Sequence, residues 1–314
     1  MAFVKPDKKK EGTKFLFYGY AGSGKTPTGL SFPNIALVDS DSGTNFYDLD
    51  NVVVNSSTLS FKELNDDLDE LEMDDELFES IETFTVDSLT RFHNNMIHAM
   101  NKIAEKRAVK NSRDAEGEGL SFKEYGKMKT YYGEFFARML NFAKQGKHLV
   151  FIAEQKDQNE NSGGEIKKIG VMPDGQKKIE HDFDVVVRTF NDENGKPKGL
   201  VEKDRTGTYK IGETVDKPNY QLWKPAMDKA LKGKQRKKEE IKSLKDVVKD
   251  EIEVLDDGES LKEELRKAAD AVIKSGKTDE LKANLEGAVG TIKYKTLTEL
   301  EDIKKALEAV KSIK

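Results

Sequence analysis

One glycine-rich segment constrains this chain more than any other feature. Residues 19–26 read Gly-Tyr-Ala-Gly-Ser-Gly-Lys-Thr and fit the pattern G-x-x-x-x-G-K-[ST] in full. The apolar run at 15–18 predicts a buried strand before this segment, and a helix-length stretch follows it. A glycine turn between a strand and a helix lets successive backbone N–H groups surround a phosphate. The sequence therefore predicts a phosphate-binding loop that holds nucleotide through Gly19, Ala21, Gly22, Ser23, Gly24, Lys25 and Thr26.

The end of this loop predicts an ATP site that uses Mg²⁺. Lys25 is expected to reach the β- and γ-phosphate oxygens, and the Thr26 hydroxyl is expected to bind Mg²⁺. Such a site needs an acid at a neighbouring strand end, and Asp87 follows the short segment 84–86. We therefore assign Thr26 and Asp87 to Mg²⁺. The alternative is that Asp87 only caps the helix that follows it.

Two further segments supply polar groups for hydrolysis. Asp39 and Asp41 follow the predicted strand 35–38, and we prefer Asp41 as the catalytic carboxylate because it lies further past the strand end. The alternative is a solvated, aspartate-rich loop. Gln155 follows the predicted strand 148–153 and is expected to sense the γ-phosphate through its amide, unless it is an ordinary surface glutamine.

The order of predicted elements indicates an α/β fold with a mostly parallel central sheet. Strands alternate with helix-length segments, as crossover connections between parallel strands require. Asn194-Gly195 predicts a hairpin turn between two later strands. We divide the chain into a basic flexible leader, a core, a charged linker or helix, and a small α-helical C-terminal module, at 1–12, 13–226, 227–258 and 259–314.

Composition limits the classes of partner. The chain has 53 Lys and Arg against 58 Asp and Glu, so any contact with nucleic acid must be local. The absence of cysteine excludes disulfides and cysteine-ligated zinc. No long apolar run is present, which predicts a cytoplasmic protein without a membrane segment. Residues 156–178 are predicted to form a long mobile loop whose candidate DNA contacts are Lys156, Lys167, Lys168, Lys177 and Lys178.

Aromatic residues in a predicted helix at 122–143 have two interpretations. Phe122 and Tyr125 follow a glycine-bearing gap and are candidates for stacking on bases, although such side chains more often belong to a core. A second group recurs at helical spacing and is assigned to packing: Tyr131, Tyr132, Phe135 and Phe136.

The same order of parts resembles the RecA-like P-loop NTPase core, over roughly residues 13–225. The resemblance implies that Asp41 activates water and that Gln155 couples nucleotide state to the DNA-binding loop after it. Residues 203–207 resemble a Lys-x-Arg-x-Gly finger, in which Lys203 and Arg205 would enter a neighbouring subunit's site. A solvated basic pair is the alternative.

The closest resemblance is to phage-encoded, core-only RecA-like proteins that anneal single strands. It implies ATP hydrolysis with Mg²⁺ and binding of single-stranded DNA in recombination or replication. It also implies a ring or filament of identical copies, with a single-strand-binding protein as a further partner. Two alternatives stay open: a nucleotide-gated protein that recruits a replication or packaging partner, and a ring-forming helicase-like motor.

Overall fold

The computed structural model describes most of the chain, and its two compact units are treated separately. One unit spans Met1–Ser243 and the other spans Leu244–Lys314. This division falls inside the segment 227–258 that the sequence predicts as a linker or helix. The described residues are 7–114, 119–162, 165–237, 240–241, 243, 246–249, 259–297 and 299–313.

The first unit is built on one large sheet with helices on its faces. Its strands are β1 (Lys14–Gly19), β2 (Ile35–Asp39), β3 (Val52–Ser56), β4 (Thr83–Asp87), β5 (His148–Ser162), β6 (Glu165–Pro173), β7 (Val185–Asn191), β8 (Pro197–Asp204) and β9 (Thr214–Asp216). Its helices are α1 (Lys25–Gly29), α2 (Phe61–Met73), α3 (Asp75–Ser80), α4 (Leu89–Lys110), α5 (Phe122–Lys144) and α6 (Tyr220–Leu231).

The strand order is β3-β2-β4-β5-β1-β7-β8-β9, with β6 paired to β5. All pairs from β3 to β7 along this order are parallel, whereas β8 and β9 are antiparallel additions. The strand β5 lies between β1, which leads into the glycine segment, and β4, which ends at Asp87. The α/β fold class predicted from the sequence, with a mostly parallel sheet, is confirmed.

Apolar side chains cover both faces of the sheet. On one face, Leu16 and Phe151 pack with the buried rings of α5, namely Tyr132, Phe135 and Phe136. On the other face, Phe15 and Phe17 pack with Phe32 and Trp223. The predicted packing role of the α5 aromatic stripe is therefore correct for three of its members, whereas Tyr131 is half exposed.

The predicted mobile loop at 156–178 is wrong over most of its length. The strand β5 continues past the sheet and pairs antiparallel with β6 from Gln155↔Pro173 to Ser162↔Glu165. We call these two segments, residues 155–162 and 165–173, the ribbon. Most of its side chains are solvated, so the segment lacks the apolar alternation by which strands are recognised in a sequence.

The described part of the predicted flexible leader is bonded to the core. The backbone N–H of Lys10 donates to the carbonyl of Lys234, and the N–H of Gly12 donates to the carbonyl of Ala143. These bonds fix the approach of the chain to β1. Residues 1–6 of the predicted leader lie outside the described residues.

Among the described residues of the second unit, three helices share a core of their own. They are α7 (Glu259–Lys274), α8 (Thr278–Val289) and α9 (Leu300–Lys311). Leu265, Leu281 and Ile303 contribute one buried side chain from each helix. Much of the predicted linker, including residues 250–258, lies outside the described residues.

Candidate nucleotide site

The glycine segment turns sharply between β1 and α1. Gly22 and Gly24 have φ values of +76° and +88°, in the left-handed region that glycine adopts without a steric penalty. Gly19 is needed for space instead, because a Cβ there would lie 2.3 Å from the carbonyl oxygen of Thr189. Glycine at these positions is therefore required by the fold of the loop, as a phosphate-binding turn needs.

The two strands β7 and β8 support the loop from behind. The Ser23 hydroxyl lies 2.7 Å from the hydroxyl of Thr189, and the Asn191 amide donates to the Gly22 carbonyl at 3.1 Å. A Cβ on Gly24 would lie 3.2 Å from Pro197. These supporting residues were not predicted from the sequence, because they belong to strands far along the chain. The one sequence signal for Thr189 was its position as a polar residue shortly after the apolar run 185–187.

The Lys25 ammonium folds back over the loop. It donates to the carbonyls of Gly19 at 3.0 Å and Tyr20 at 2.6 Å. Burial lowers the pKa of Lys25 below its ordinary value, while the carboxylates of Asp87, Glu154 and Asp41 act in the opposite direction. The ammonium thus lies where a phosphate would replace the carbonyls as its partner.

Thr26 and Asp87 meet as the sequence predicts. The Thr26 hydroxyl donates to the Asp87 carboxylate at 2.5 Å, across the gap between α1 and the end of β4. Burial, with a smaller contribution from the charges of Asp41 and Asp39, raises the pKa of Asp87 to about 6, although the Thr26 hydrogen bond and Lys25 act to lower it. A buried carboxylate beside a hydroxyl is a donor set that fits Mg²⁺, which prefers oxygen ligands.

The two acids after β2 have different environments. Asp39 is buried, and its carboxylate accepts hydrogen bonds from the backbone N–H groups of Gly43 and Thr44 and from the Thr44 hydroxyl. Asp41 is exposed and lies 3.9 Å from the Arg91 guanidinium. Asp39 is therefore held by the loop through three hydrogen bonds, whereas the exposed Asp41 carboxylate accepts the backbone N–H of Gly43 at 3.1 Å, and its charge acts on both Lys25 and Asp87.

Alternation along β5 separates Glu154 from Gln155. Ile152 faces α1, since a Cβ on Gly29 would lie 2.6 Å from its Cδ1, so Glu154 lies on the same face. Its backbone is fixed, because its N–H donates to the Thr90 hydroxyl oxygen at 2.9 Å and its carbonyl accepts from the backbone N–H of Asp174 at 2.7 Å. Glu154 is exposed, and its charge acts on Lys25.

Gln155 lies on the opposite face from Glu154 by the same alternation. Its Oε1 is buried and has no hydrogen-bond partner among the described residues. Gln155 was predicted from its amide, and Glu154 was not predicted. Glu154 can be identified from the alternation of β5, because residues two apart share a face and Ile152 faces α1.

Lys203 and Arg205 lie at the other end of the sheet from the glycine segment of the same chain. The Lys203 ammonium donates to the carbonyls of Glu180 and His181, at 2.8 and 3.1 Å. Arg205 lies 3.6 Å from Asp184, which also pairs with the first residue of β1. Six residues of β1 separate the two ends, about 17 Å by strand geometry.

The predicted DNA lysines divide into paired and unpaired groups. Lys156 pairs with Asp174 at 2.8 Å, and Lys168 pairs with Asp157 at 2.6 Å across the ribbon. Lys167 lies 3.5 Å from Glu165. Of these five lysines, Lys177 and Lys178 are exposed and make no ion pair within the part of the chain that the structure describes.

A glycine turn after β1, a Lys-Thr pair that opens α1 and a buried strand-end acid on a parallel sheet define a nucleotide-binding protein of the P-loop NTPase class. The comparison with known families agrees with this class. The model of the AAA domain family matches residues 11–250, and the chain belongs to that family. The comparison with curated proteins gives no match. No helix among the described residues is long and apolar enough to span a membrane.

Proposed function

We propose that the protein hydrolyses ATP with Mg²⁺ and uses the nucleotide state to control its binding to single-stranded DNA. The observation that carries the proposal is the meeting of Thr26 and Asp87 beside Lys25, because these groups match the needs of a magnesium–nucleotide complex. The resemblance to phage-encoded, core-only RecA-like proteins supports a role in phage recombination or replication.

Each group of the site has a separate task in this proposal. Backbone N–H groups of the glycine segment bind the β-phosphate, and Lys25 exchanges its loop carbonyls for phosphate oxygens. Thr26 and Asp87 hold Mg²⁺, which neutralises phosphate charge when it is bound. Asp41 orients and deprotonates the attacking water, since its carboxylate is exposed and its Oδ1 alone accepts a loop hydrogen bond, from Gly43.

Glu154 takes the coupling role that the sequence analysis gave to Gln155. Its carboxylate acts on Lys25, and the residue stands where β5 leaves the sheet and becomes the ribbon. A change in charge at the γ-phosphate therefore acts directly on the base of the ribbon. The ribbon, together with Lys177 and Lys178, is the proposed DNA element that responds to nucleotide.

Steady-state ATP hydrolysis tests this proposal. Wild type and Lys25→Ala are compared with and without single-stranded DNA, at low and at physiological salt, because phosphate contacts weaken with salt. Lys210→Ala, an exposed lysine remote from the glycine segment, is the matched control. We expect DNA to raise a rate that Lys25→Ala abolishes and Lys210→Ala retains. A Lys25→Ala variant with unchanged ATP affinity would contradict the site assignment.

The pairing of ribbon lysines with carboxylates favours a second candidate function. Lys156, Lys167 and Lys168 all lie near acids, so the ribbon is less basic than its sequence indicates. In this alternative the nucleotide state controls docking of a protein partner. It predicts a Lys25-dependent hydrolysis rate that does not respond to DNA.

Oligomerisation is part of the first candidate function. Because Lys203 and Arg205 lie at the far end of the sheet from their own glycine segment, any contribution to hydrolysis must be made to a neighbouring copy. A ring or a filament of identical copies provides that arrangement. Arginine supplied in this way would neutralise charge in the transition state.

A further inference from the structure

A basic helical surface lies outside both the nucleotide site and the ribbon. It is formed by the last part of α4 and the first part of α5, residues 102–114 and 119–131, and we call it the α4–α5 tip. The Arg107 guanidinium donates to the Glu124 carboxylate at 2.6 Å and to the Gly119 carbonyl at 3.2 Å. Ser121 and Glu124 form a capping box that fixes the start of α5. These bonds hold the two helix ends together.

The tip is locally basic in an acidic protein. Residues 102–129 contain eight Lys and Arg against five Asp and Glu, a net charge of +3 in a chain whose formal net charge is −5. Glu105 pairs with Lys102, and Glu124 pairs with Arg107. The remaining basic side chains make no ion pair within the described parts of the chain: Lys106, Lys110, Arg113, Lys123, Lys127 and Lys129.

Aromatic rings stand in solvent among these charges. Phe122 is 97% exposed and Tyr125 is 53% exposed, although α5 has a buried face that accommodates other aromatic residues. Their spacing with Lys129, at i, i+3 and i+7, puts all three on one face of the helix. The packing interpretation of Phe122 and Tyr125 is therefore wrong, and their exposure requires another explanation.

Two glycines lie on the same exposed face of α5. A Cβ on either Gly126 or Gly133 would meet no atom within 4 Å, so packing inside the chain does not require glycine there. Glycine inside a helix destabilises it relative to alanine. The two positions are seven residues apart and leave the helix backbone open beside Phe122 and Tyr125. A ligand that approaches the helix closely would account for that cost.

We propose that the α4–α5 tip binds single-stranded nucleic acid. Unpaired bases stack on Phe122 and Tyr125, and the phosphates contact Lys123, Lys127 and Lys129. Single strands fit this surface better than a duplex, because only unpaired bases offer their faces to a protein ring. The inference rests on the proposed function for the identity of the polymer, and it assigns the main contact to the tip instead of the ribbon.

Binding of a labelled oligo(dT) of about 30 nucleotides to the full-length protein tests the inference, with fluorescence anisotropy at roughly 50 to 200 mM salt. The aromatic variant is Phe122→Ala with Tyr125→Ala. The charge variant combines Lys123→Gln, Lys127→Gln and Lys129→Gln. Its matched control is a variant that loses three exposed positive charges outside the tip: Lys210→Gln, Lys229→Gln and Lys305→Gln combined.

The two tip variants should fail in different ways. Loss of the rings is expected to weaken binding roughly 10-fold or more while the salt dependence stays the same. Loss of the three lysines is expected to reduce the slope of log K against log salt by about 2. The control variant should bind oligo(dT) as wild type does. Both tip variants should hydrolyse ATP at the wild-type rate without DNA, since the substituted side chains are exposed and lie outside the nucleotide site.

Three results would overturn the inference, and a fourth arm separates it from the proposed function. If both tip variants bind oligo(dT) as the control does, the tip is not a contact surface. If Lys167→Gln, Lys177→Gln and Lys178→Gln together abolish binding that the tip variants retain, the proposed function stands and the inference fails. Binding of wild type to anionic vesicles or an acidic peptide, with none to oligo(dT), also refutes it. The proposed function fails separately if wild type shows no ATP hydrolysis that depends on Lys25.

Discussion

A buried histidine at the start of β5 predicts a specific loss of stability in acid. His148 is 2% exposed, and its Nδ1 accepts the backbone N–H of Thr13 at 3.0 Å, which fixes the approach to β1. A protonated Nδ1 could not accept that bond. Burial lowers the pKa of His148 from 6.5 to about 4. The folded protein therefore keeps this imidazole neutral in a range where the unfolded chain would protonate it.

The sign and size of the effect follow from proton linkage. Between pH 6.5 and 4 the unfolded chain binds the proton and the folded protein does not, so stability falls as the pH falls through this window. The stabilisation is complete above pH 6.5. The difference between the two pKa values corresponds to about 3 kcal/mol of unfolding free energy when fully expressed, and to about 2 kcal/mol at pH 5.

The single tryptophan makes the measurement specific to the first unit. Trp223 is fully buried against Phe15 and Phe17 of β1, so its fluorescence reports unfolding of the sheet that contains His148. We expect urea unfolding to show that the free energy of unfolding falls between pH 7.5 and pH 5 by about 2 kcal/mol less in His148→Asn than in wild type. Asparagine can accept the same hydrogen bond without titrating.

An exposed histidine provides the control for this comparison. His98→Asn should lose as much stability as wild type between the two pH values, because His98 is solvated. Other titrating groups contribute equally to all three proteins and cancel in the comparison. An equal loss in His148→Asn and wild type would refute the argument, whatever the absolute stability of the variant.

Three further predictions concern the nucleotide site. Gly19→Ala should lower the unfolding temperature or prevent folding, because its Cβ would lie 2.3 Å from the Thr189 carbonyl oxygen. Thermal unfolding of Gly22→Ala is the comparison, since a Cβ there meets no atom within 4 Å and only strains the backbone. Asp41→Asn should reduce hydrolysis about 100-fold with ATP binding retained, and an unchanged rate would remove Asp41 as the base. Arg205→Ala should bind ATP but turn over slowly, and mixing it with Asp41→Asn should restore some activity; no recovery at any ratio would exclude a contribution between copies.

The sequence was sufficient for the parts of the site that are contiguous along the chain. The glycine segment, Lys25 and Thr26 follow from a motif whose spacing is set by backbone geometry, and Asp87 follows separately from its place directly after a short predicted strand. The parallel sheet follows from strands separated by helix-length segments, and the Asn194-Gly195 signal correctly predicts the turn between β7 and β8. Local signals are enough where the structure itself is local.

The sequence was insufficient where a residue's role depends on its exposure or on the face of the strand that carries it. The ribbon was predicted as a loop because most of its side chains are solvated, and a strand that buries neither face has no apolar alternation. Gln155 was predicted from its amide, and Glu154 was not predicted, because the sequence does not say which face of β5 meets α1. Phe122 was left between base stacking and a place in the core, and only the packing of α5 against the sheet and α4 reveals that its ring is outside.

The position of Glu154 gives nucleotide state a direct physical route to the ribbon. Like charges repel, so a γ-phosphate bound beside Lys25 would act unfavourably on the Glu154 carboxylate. The Lys25 ammonium now offsets the Glu154 charge, and a γ-phosphate would compete for it. Glu154→Gln should therefore keep Lys25-dependent hydrolysis but lose its response to single-stranded DNA, whereas Gln155→Ala should keep both. A Glu154→Gln variant that is stimulated by DNA as strongly as wild type would mean that the signal reaches the ribbon by another route.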